Sequence, residues 1–417
     1  MKLLYIDAYH HYLNPTSGLM PVLFSRAAED VRFYGPGYSS EAELSAGVRA
    51  FVDRTGPYDA LVLGMQVPLF AWDDDRLRRN AGHVNNYTAF GSSPQILLPF
   101  FKDIRANVGG LPVPIRLISL LNFDYYVTTS KHTDVFESLD AHVITPGIQF
   151  APAFDQLPEW AWQEKHFLRK KQMISDAWNA YLRRHANRVL SLPHFVADSE
   201  FSFRGLAERR QRVSIPGVEY LMRKEGRKQL KARGVHATRK PIFNLLRYAD
   251  RLGFRVFSRY LLLTAYHAAY RGNLIDTRFV YTAREGFGIP LRKFFEIPAA
   301  GAVMLCVAPI GFSELGFRDS EHYLEVTPDS LPDSIEVLER EPERAQAIAS
   351  AGRKLVFDRH SLSARGAQLA RCLKAITQGS FNGSEWQGGD FHVLTDGSQA
   401  AFRVEGSVAP RANSNRL

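Results

Sequence analysis

Residues suited to holding a phosphorylated ligand gather in one run, Tyr281-Thr-Ala-Arg-Glu-Gly-Phe-Gly-Ile-Pro-Leu-Arg-Lys-Phe-Phe-Glu-Ile-Pro-Ala-Ala-Gly301. Gly286 and Gly288 let backbone approach a ligand with no Cβ in the way. Pro290 suits the first turn of a helix, where its missing N–H costs nothing. A helix opening there would turn its free N–H groups and positive dipole end toward the loop. Arg292 and Lys293 would balance a diphosphate, most of all as it departs with extra charge. Glu296, about one turn further on, would accept hydrogen bonds from ribose hydroxyls. Phosphate at the helix start and a carboxylate for sugar hydroxyls describe a sugar nucleotide. The plainer alternative is a tight strand-to-helix turn with its charges in solvent.

The flanking patterns show what must position these residues. Arg278 to Thr282 and Ala302 to Val307 read as apolar strands on either side of the loop. In the first half, Lys2 to Ile6, Asp59 to Gly64, Pro114 to Leu120, Asp140 to Thr145 and Arg188 to Leu192 read as strands. Helical patterns fall between them, at Glu41 to Asp53 and around Val135. Short apolar strands alternating with helices argue for parallel α/β layers, whose ligands bind beyond the carboxyl ends of the strands. Glu164 to Ala186 is a long helical pattern, apolar on one face and strongly basic on the other. A second cycle starts at Val213-Ser-Ile-Pro-Gly217, followed by a basic helix from Glu219 to Arg233. Ser330 to Glu339, Pro342 to Phe357 and Ser361 to Ile376 read as closing helices. Phe391 to Thr395 and Ala400 to Val404 could pair as a hairpin about Asp396-Gly397, and the last dozen residues read as a disordered tail.

A chain of 417 residues exceeds one ordinary core and predicts more than one domain. We divide it into 1–208, 209–376 and a C-terminal extension, 377–417. Hydrophobic residues at 45% and charged residues at 23% exclude wholesale disorder. The net charge of +9 favours anionic partners such as nucleotide diphosphates or an anionic membrane surface. Its cations are spread over several helices without a nucleic-acid-binding module, so no nucleic acid is expected. Two cysteines, Cys306 and Cys372, make no disulfide framework and fit a reducing compartment. The N-terminus reads as a first strand rather than a leader. The apolar stretch from Tyr260 to Tyr270, interrupted by Thr264 and His267, is too short to span a bilayer.

Other clusters offer weaker chemistry. His10 and His11 follow the first strand at the sheet end where active sites form, and an imidazole there could act as general base on an acceptor hydroxyl. Asp7 would orient it. Asp124 and His132 hold a comparable place after a later strand. Asp73-Asp74-Asp75 could hold a divalent cation, but such ions demand more ligands than a run of Asp guarantees. No zinc spacing or Gly-x-Ser-x-Gly elbow is present.

Pro290, Arg292, Lys293, Phe294, Phe295, Glu296, Ile297, Pro298, Ala299 and Gly301 together resemble the donor-site motif of GT-B glycosyltransferases. The resemblance is to the family-1 type domain of the spore-maturation-protein-like group. Val213 to Gly217, with Tyr220 and Arg223 behind it, is similar to that group's first strand and turn of the C-terminal domain. Gly316 to Glu325 and the three helices after it resemble the domain's end, so the likeness runs from about Arg210 to Ala375. Retaining members of the wider group resemble one another in carrying two glutamates eight positions apart. Glu296 matches the second, but Gly288 stands eight before it, and the nearest acid is Glu285, eleven before.

The resemblance implies two Rossmann-like domains facing a cleft, and transfer of a sugar from a nucleotide-diphosphate donor to an acceptor hydroxyl. Gly217, Tyr220, Arg223, Gly286, Gly288, Arg292, Lys293 and Glu296 would hold the donor. Glu285 would touch the donor sugar, and His10 with Asp7 would face the acceptor. The nucleotide sugar is a co-substrate, and neither cofactor nor metal is expected. The acceptor would be a surface polysaccharide, a glycolipid or another glycoconjugate, and the location cytoplasmic, peripheral to the inner face of the membrane. The rivals are a nucleotide-sugar epimerase on the same fold and a catalytically degenerate carbohydrate- or anion-binding relative.

Overall fold

The computed structural model describes residues 1–12, 16–73, 88–90, 94–120, 130–147, 176–217, 221–238, 241–249, 260–284 and 290–395, with 252, 254 and 256 between. In chain order the strands are β1 (Lys2–Ile6), β2 (His10–Tyr12), β3 (Asp30–Tyr34), β4 (Ala60–Leu63) and β5 (Thr88–Phe90). They continue as β6 (Ile115–Ser119), β7 (His142–Thr145), β8 (Val189–Ser191), β9 (Gln211–Ser214) and β10 (Thr277–Ala283). The last are β11 (Val303–Val307), β12 (Leu324–Glu325), β13 (Ser384–Gln387) and β14 (Asp390–Val393).

Two parallel sheets organise the chain. The first has the order β3-β1-β4-β6-β7-β8, the second β12-β11-β10-β9. All their pairings are parallel. The inner strands are near-continuous apolar runs because helices cover both faces of such sheets. Thus the Ala-Leu-Val-Leu of β4 and the Val-Met-Leu-Cys-Val of β11 are wholly buried. Side-chain alternation assigns the two faces of the second sheet. Phe279, Tyr281 and Ala283 of β10 pack toward the Leu331–Arg340 and Pro342–His360 helices. Val280 of β10 and Met304 and Cys306 of β11 join the core that runs through Phe294, Phe295 and Ile297 into the first sheet's layers. The expected α/β architecture of two Rossmann-like units is what the chain builds, and Cys306 and Cys372 are buried free thiols.

The strand readings match the observed elements closely, with β1 running from Lys2 to Ile6 as expected. One expectation needs correction, the start of the Pro290 helix, and two others fall partly outside the described residues. A hairpin not expected from the sequence pairs β13 with β14 about Gly388-Gly389, both at positive φ; the one expected about Asp396-Gly397, with Ala400 to Val404, falls outside the described residues. The helix expected at Pro290 opens at Lys293 and ends at Ala299. Of the long basic helix, Asp176–His185 is described, and the part up to 175 is not. Sequence patterning passed over the Thr16–Ala27 helix, which carries Pro21 inside it, the half-exposed edge strand β3, and the Tyr260–Asp276 helix.

The chain passes between the two units twice. It leaves β8 through residues 192–210 to reach β9, and returns at His360 to Leu362. The two passages are joined: Val196 N–H donates to His360 O at 3.3 Å, and Leu362 N–H donates to Val196 O at 2.8 Å. Asp198 adds to this seam, accepting from Arg26 Nη1 at 2.5 Å and from Ser363 Oγ at 2.7 Å. The returning Leu362–Thr377 helix packs along the Thr16–Ala27 helix of the first unit. The hairpin follows it to β8, where Trp386 Nε1 donates to Ser191 O at 3.0 Å.

Candidate functional site

The carboxyl ends of β9, β10 and β11 share one edge, because Val280 lies beside Ser214 and Ala283 beside Val307. β9 runs there into the turn Ile215-Pro216-Gly217. Gly217 has φ +95°, in the left-handed region that favours glycine. Its Cα faces the end of the Lys293 side chain so closely that a Cβ would stand 2.0 Å from Nζ and 3.4 Å from Arg223 Nη1. Arg223 is buried on the Leu221–Ala232 helix and Lys293 is half-buried at the start of the Lys293–Ala299 helix. Gly217 and nearby Arg223 thus meet the sequence-distant Lys293 at one point: a glycine with its backbone bare and two cationic side chains. Such a place is suited to a phosphate group.

Arg292, adjacent to Lys293, turns the other way. Its Nε donates to Glu296 Oε1 at 2.7 Å, an i to i+4 pair along one helix face. Its Nη2 donates to both oxygens of Glu200, at 2.7 and 2.5 Å, and its Nη1 to Phe195 O. Burial opposes the charge, but Glu200 and then Glu296 overcome it and hold the guanidinium ionised, its pKa above the ordinary value. Glu296 Oε2 also accepts from Tyr270 Oη at 3.2 Å, and burial with the Glu296 charge pushes the Tyr270 phenol well up. The sequence treated Arg292 and Lys293 as one pair of cations. In the structure Lys293 faces the glycine turn, whereas Arg292 ties its helix to the passage between the two units.

Tyr270 stands between two cavities. One, of about 20 Å³, lies under the turn and is lined by Ile215, Pro216, Gly217, Thr238, Phe243, Tyr266, Tyr270 and Asn273. That is room for a single water. The other, of about 280 Å³, is lined by Glu200, Tyr270 and Glu296 with His267 and Arg271. It has the size for a sugar ring and offers it carboxylate acceptors. A groove of about 670 Å³ beside Arg278 and Glu339 lies at the amino end of β10, the edge where α/β sheets do not build their ligand sites.

In the first sheet the strand order reverses between β1 and β4, the position where such sheets open a crevice. Asp7 closes β1 there. Its Oδ1 accepts from Ala8 N–H at 2.9 Å and Gln66 N–H at 3.2 Å, and Tyr5 Oη donates to Oδ2 at 3.3 Å. The carboxyl is buried against the backbone of Gly64, close enough that a Cβ there would meet Oδ2 at 2.3 Å. Burial raises its pKa to about 7, against the lowering effect of the Ala8 and Gln66 N–H groups. Asp7 therefore pins the turn after β4. His10 lies in β2, backbone-paired with Phe90 of β5; its side chain is outside the description.

Tyr220, Glu285, Gly286, Gly288, Asp74, Asp75 and Asp124 lie outside the described residues. His132 is half-buried in the Ser130–Ser138 helix. Among the described residues no group of three or more His, Cys, Asp or Glu side chains is arranged to hold a metal ion. Sequence reasoning missed Glu200 and Tyr270. Neither stands in a motif, and only the pairing of distant segments brings them to Arg292 and Glu296.

Residues 245–371 match the family model described as "Glycosyl transferase-like". No curated protein matches the chain. Similar solved structures include Anabaena Alr3699/HepE in complex with UDP, at 13% identity and a TM-score of 0.48, covering 90% of this chain and 100% of that one. Sucrose-phosphate synthase from Thermosynechococcus elongatus shares 14% identity at a TM-score of 0.41, with 91% and 100% coverage. The T4 phage BGT in complex with UDP and Mn2+ shares 12% at 0.44, with 90% and 99% coverage. These likenesses are distant in both sequence and shape. Arg292, Lys293 and Glu296 lie within the matched residues, and the turn that meets them at Gly217 lies ahead of the match.

Proposed function

We propose that the protein is a glycosyltransferase that moves a sugar from a nucleoside-diphosphate donor to an acceptor hydroxyl. The observation that carries this reading is the meeting of Lys293 Nζ and Arg223 with the bare backbone of Gly217 at the carboxyl edge of the second sheet. There the two cations balance the diphosphate, and their effect grows as the sugar–phosphate bond breaks and charge collects on the leaving oxygen. Glu296, fixed by Arg292 and Tyr270, faces the adjacent cavity and accepts from hydroxyls of the donor. Glu285, Gly286, Gly288 and Tyr220 complete the donor side. His10 serves the acceptor as general base, on the crevice that Asp7 shapes.

The reaction needs no metal in this reading, because fixed cations take its place at the leaving group. The acceptor is a glycan or glycolipid, and the protein works in the cytoplasm, at the inner face of a membrane.

The experiment is thermal unfolding against a panel of nucleoside diphosphates and their sugars, for wild type and Lys293→Ala. A ligand that binds only the folded state raises the melting temperature. Stabilisation by one base, lost in Lys293→Ala, supports the donor site and names the nucleotide. No stabilisation by any nucleotide overturns it. Sugar isomerisation without a transfer product would make the protein an epimerase instead.

A further inference from the structure

Asn273, on the Tyr260–Asp276 helix, is 2% exposed, and among the described residues its Oδ1 has no hydrogen-bond partner. Native folds seldom leave a buried amide oxygen unpaired, because nothing replaces the water it has lost. Asn273 lines the cavity of about 20 Å³ under the Gly217 turn, together with two hydroxyl-bearing residues, Thr238 and Tyr270. Ser214 Oγ, in β9 just before that turn, is buried and unpartnered as well. Polar atoms thus gather behind the one turn that brings its bare backbone to Lys293 and Arg223.

We propose that Asn273 is a positioning residue that binds one water under the Gly217 turn and through it fixes the turn for the donor. The volume suits a single water, and such a water needs several polar partners. Asn273 Oδ1 accepts from it, and the hydroxyls of Thr238 and Tyr270 share the same space. A metal cation, which an amide oxygen could also hold, is disfavoured by the charges of Lys293 and Arg223 beside Gly217. Arg227 Nη2 donates to Ile215 O at 2.9 Å and ties the turn to the Leu221–Ala232 helix. The water ties it to the Tyr260–Asp276 helix, so the backbone that carries Gly217 at φ +95° is held between two helices. Tyr270 Oη donates to Glu296 Oε2 at 3.2 Å and extends the link to the carboxylate of the same site. This role rests on the proposed donor site: Asn273 acts on the diphosphate only through the turn.

The test compares wild type with Asn273→Leu, similar in shape but without the acceptor, and with Asn273→Ser, which keeps a polar group and leaves room for water. Urea unfolding is measured without ligand, and dissociation constants are measured for adenosine, guanosine, cytidine, uridine and thymidine diphosphates. Asn273→Leu is expected to bind the preferred nucleotide roughly three- to tenfold more weakly, with no gain in its urea midpoint. Asn273→Ser is expected to recover most of that affinity, which a residue that only supports the fold would not do. A high-resolution crystal structure of the ligand-free wild type should show the water on Asn273 Oδ1. Unchanged affinity in Asn273→Leu overturns the positioning role, and if Lys293→Ala still loses binding, the donor site stands without Asn273. A higher urea midpoint in Asn273→Leu, or a crystal without the water, shows a dry acceptor and overturns the water. If no nucleotide binds wild type, the donor site falls and the positioning role with it, while the ligand-free crystal still decides the water.

Discussion

The Lys293 ammonium lies against the Cα of Gly217, so close that a methyl group on that carbon would stand 2.0 Å from Nζ. A glycine at φ +95° after β9 and a lysine at the start of the Lys293–Ala299 helix thus define one point. Gly217→Ala should displace the ammonium and cost about 1–2 kcal/mol from the left-handed backbone. Lys293→Ala removes the ammonium itself. Both variants should lose nucleotide stabilisation in thermal unfolding. Retention of the full nucleotide shift in both would remove Lys293 from the donor site.

Arg292 should behave differently from its neighbour. Arg292→Ala leaves Glu200 and Glu296 as half-buried carboxylates without their cation, and the loss should approach, without reaching, the about 3–5 kcal/mol of breaking a fully buried pair. Urea unfolding should show this loss without any ligand. A variant as stable as wild type would mean that the two carboxylates reach water or protonate cheaply.

Asp7 should make stability fall as pH rises. Its folded pKa of about 7 exceeds the ordinary 3.8, so the native state keeps a proton that the unfolded chain releases. The stabilisation is complete below the ordinary carboxylate range and is lost as pH climbs to about 7. Asp7→Asn keeps an oxygen for the Ala8 and Gln66 N–H groups and removes the titration. The difference in stability between wild type and Asp7→Asn should therefore shift against wild type between about pH 4 and pH 7. A difference that stays constant with pH would show that the carboxyl ionises normally.

Trp386 ties the C-terminal hairpin to the first sheet. Its Nε1 donates to Ser191 O, and Arg365 lies over its ring at 4.9 Å. Trp386→Phe keeps a ring but strands the Ser191 carbonyl, at a cost of about 1–3 kcal/mol. Chemical unfolding followed by circular dichroism measures it, and an unchanged midpoint would mean the hairpin contributes nothing to the global fold.

Much of this architecture was legible in the sequence because its signals are local. Buried parallel strands such as Lys2–Ile6 and Ala60–Leu63 announce themselves as apolar runs between turn residues. The Gly217 turn and the Lys293 segment were legible through the motif they resemble. What stayed hidden depends on distant segments meeting. Nothing near Glu200 marks it as the partner of Arg292, and nothing near Lys293 says that it points one way while Arg292 points the other. Pro21 concealed a helix because a proline inside a pattern normally ends it. The β13–β14 hairpin was passed over because its Gly388-Gly389 turn sits in a stretch that reads only as Gly-, Ser- and Asn-rich.

The two passages between the units are hydrogen-bonded side by side, Val196 to His360 and Leu362 to Val196. Neither passage can therefore shift alone: sliding residues 192–210 against 360–362 breaks both bonds, so the two crossings move as one piece, together with the core through Phe294, Phe295 and Ile297 that the units share.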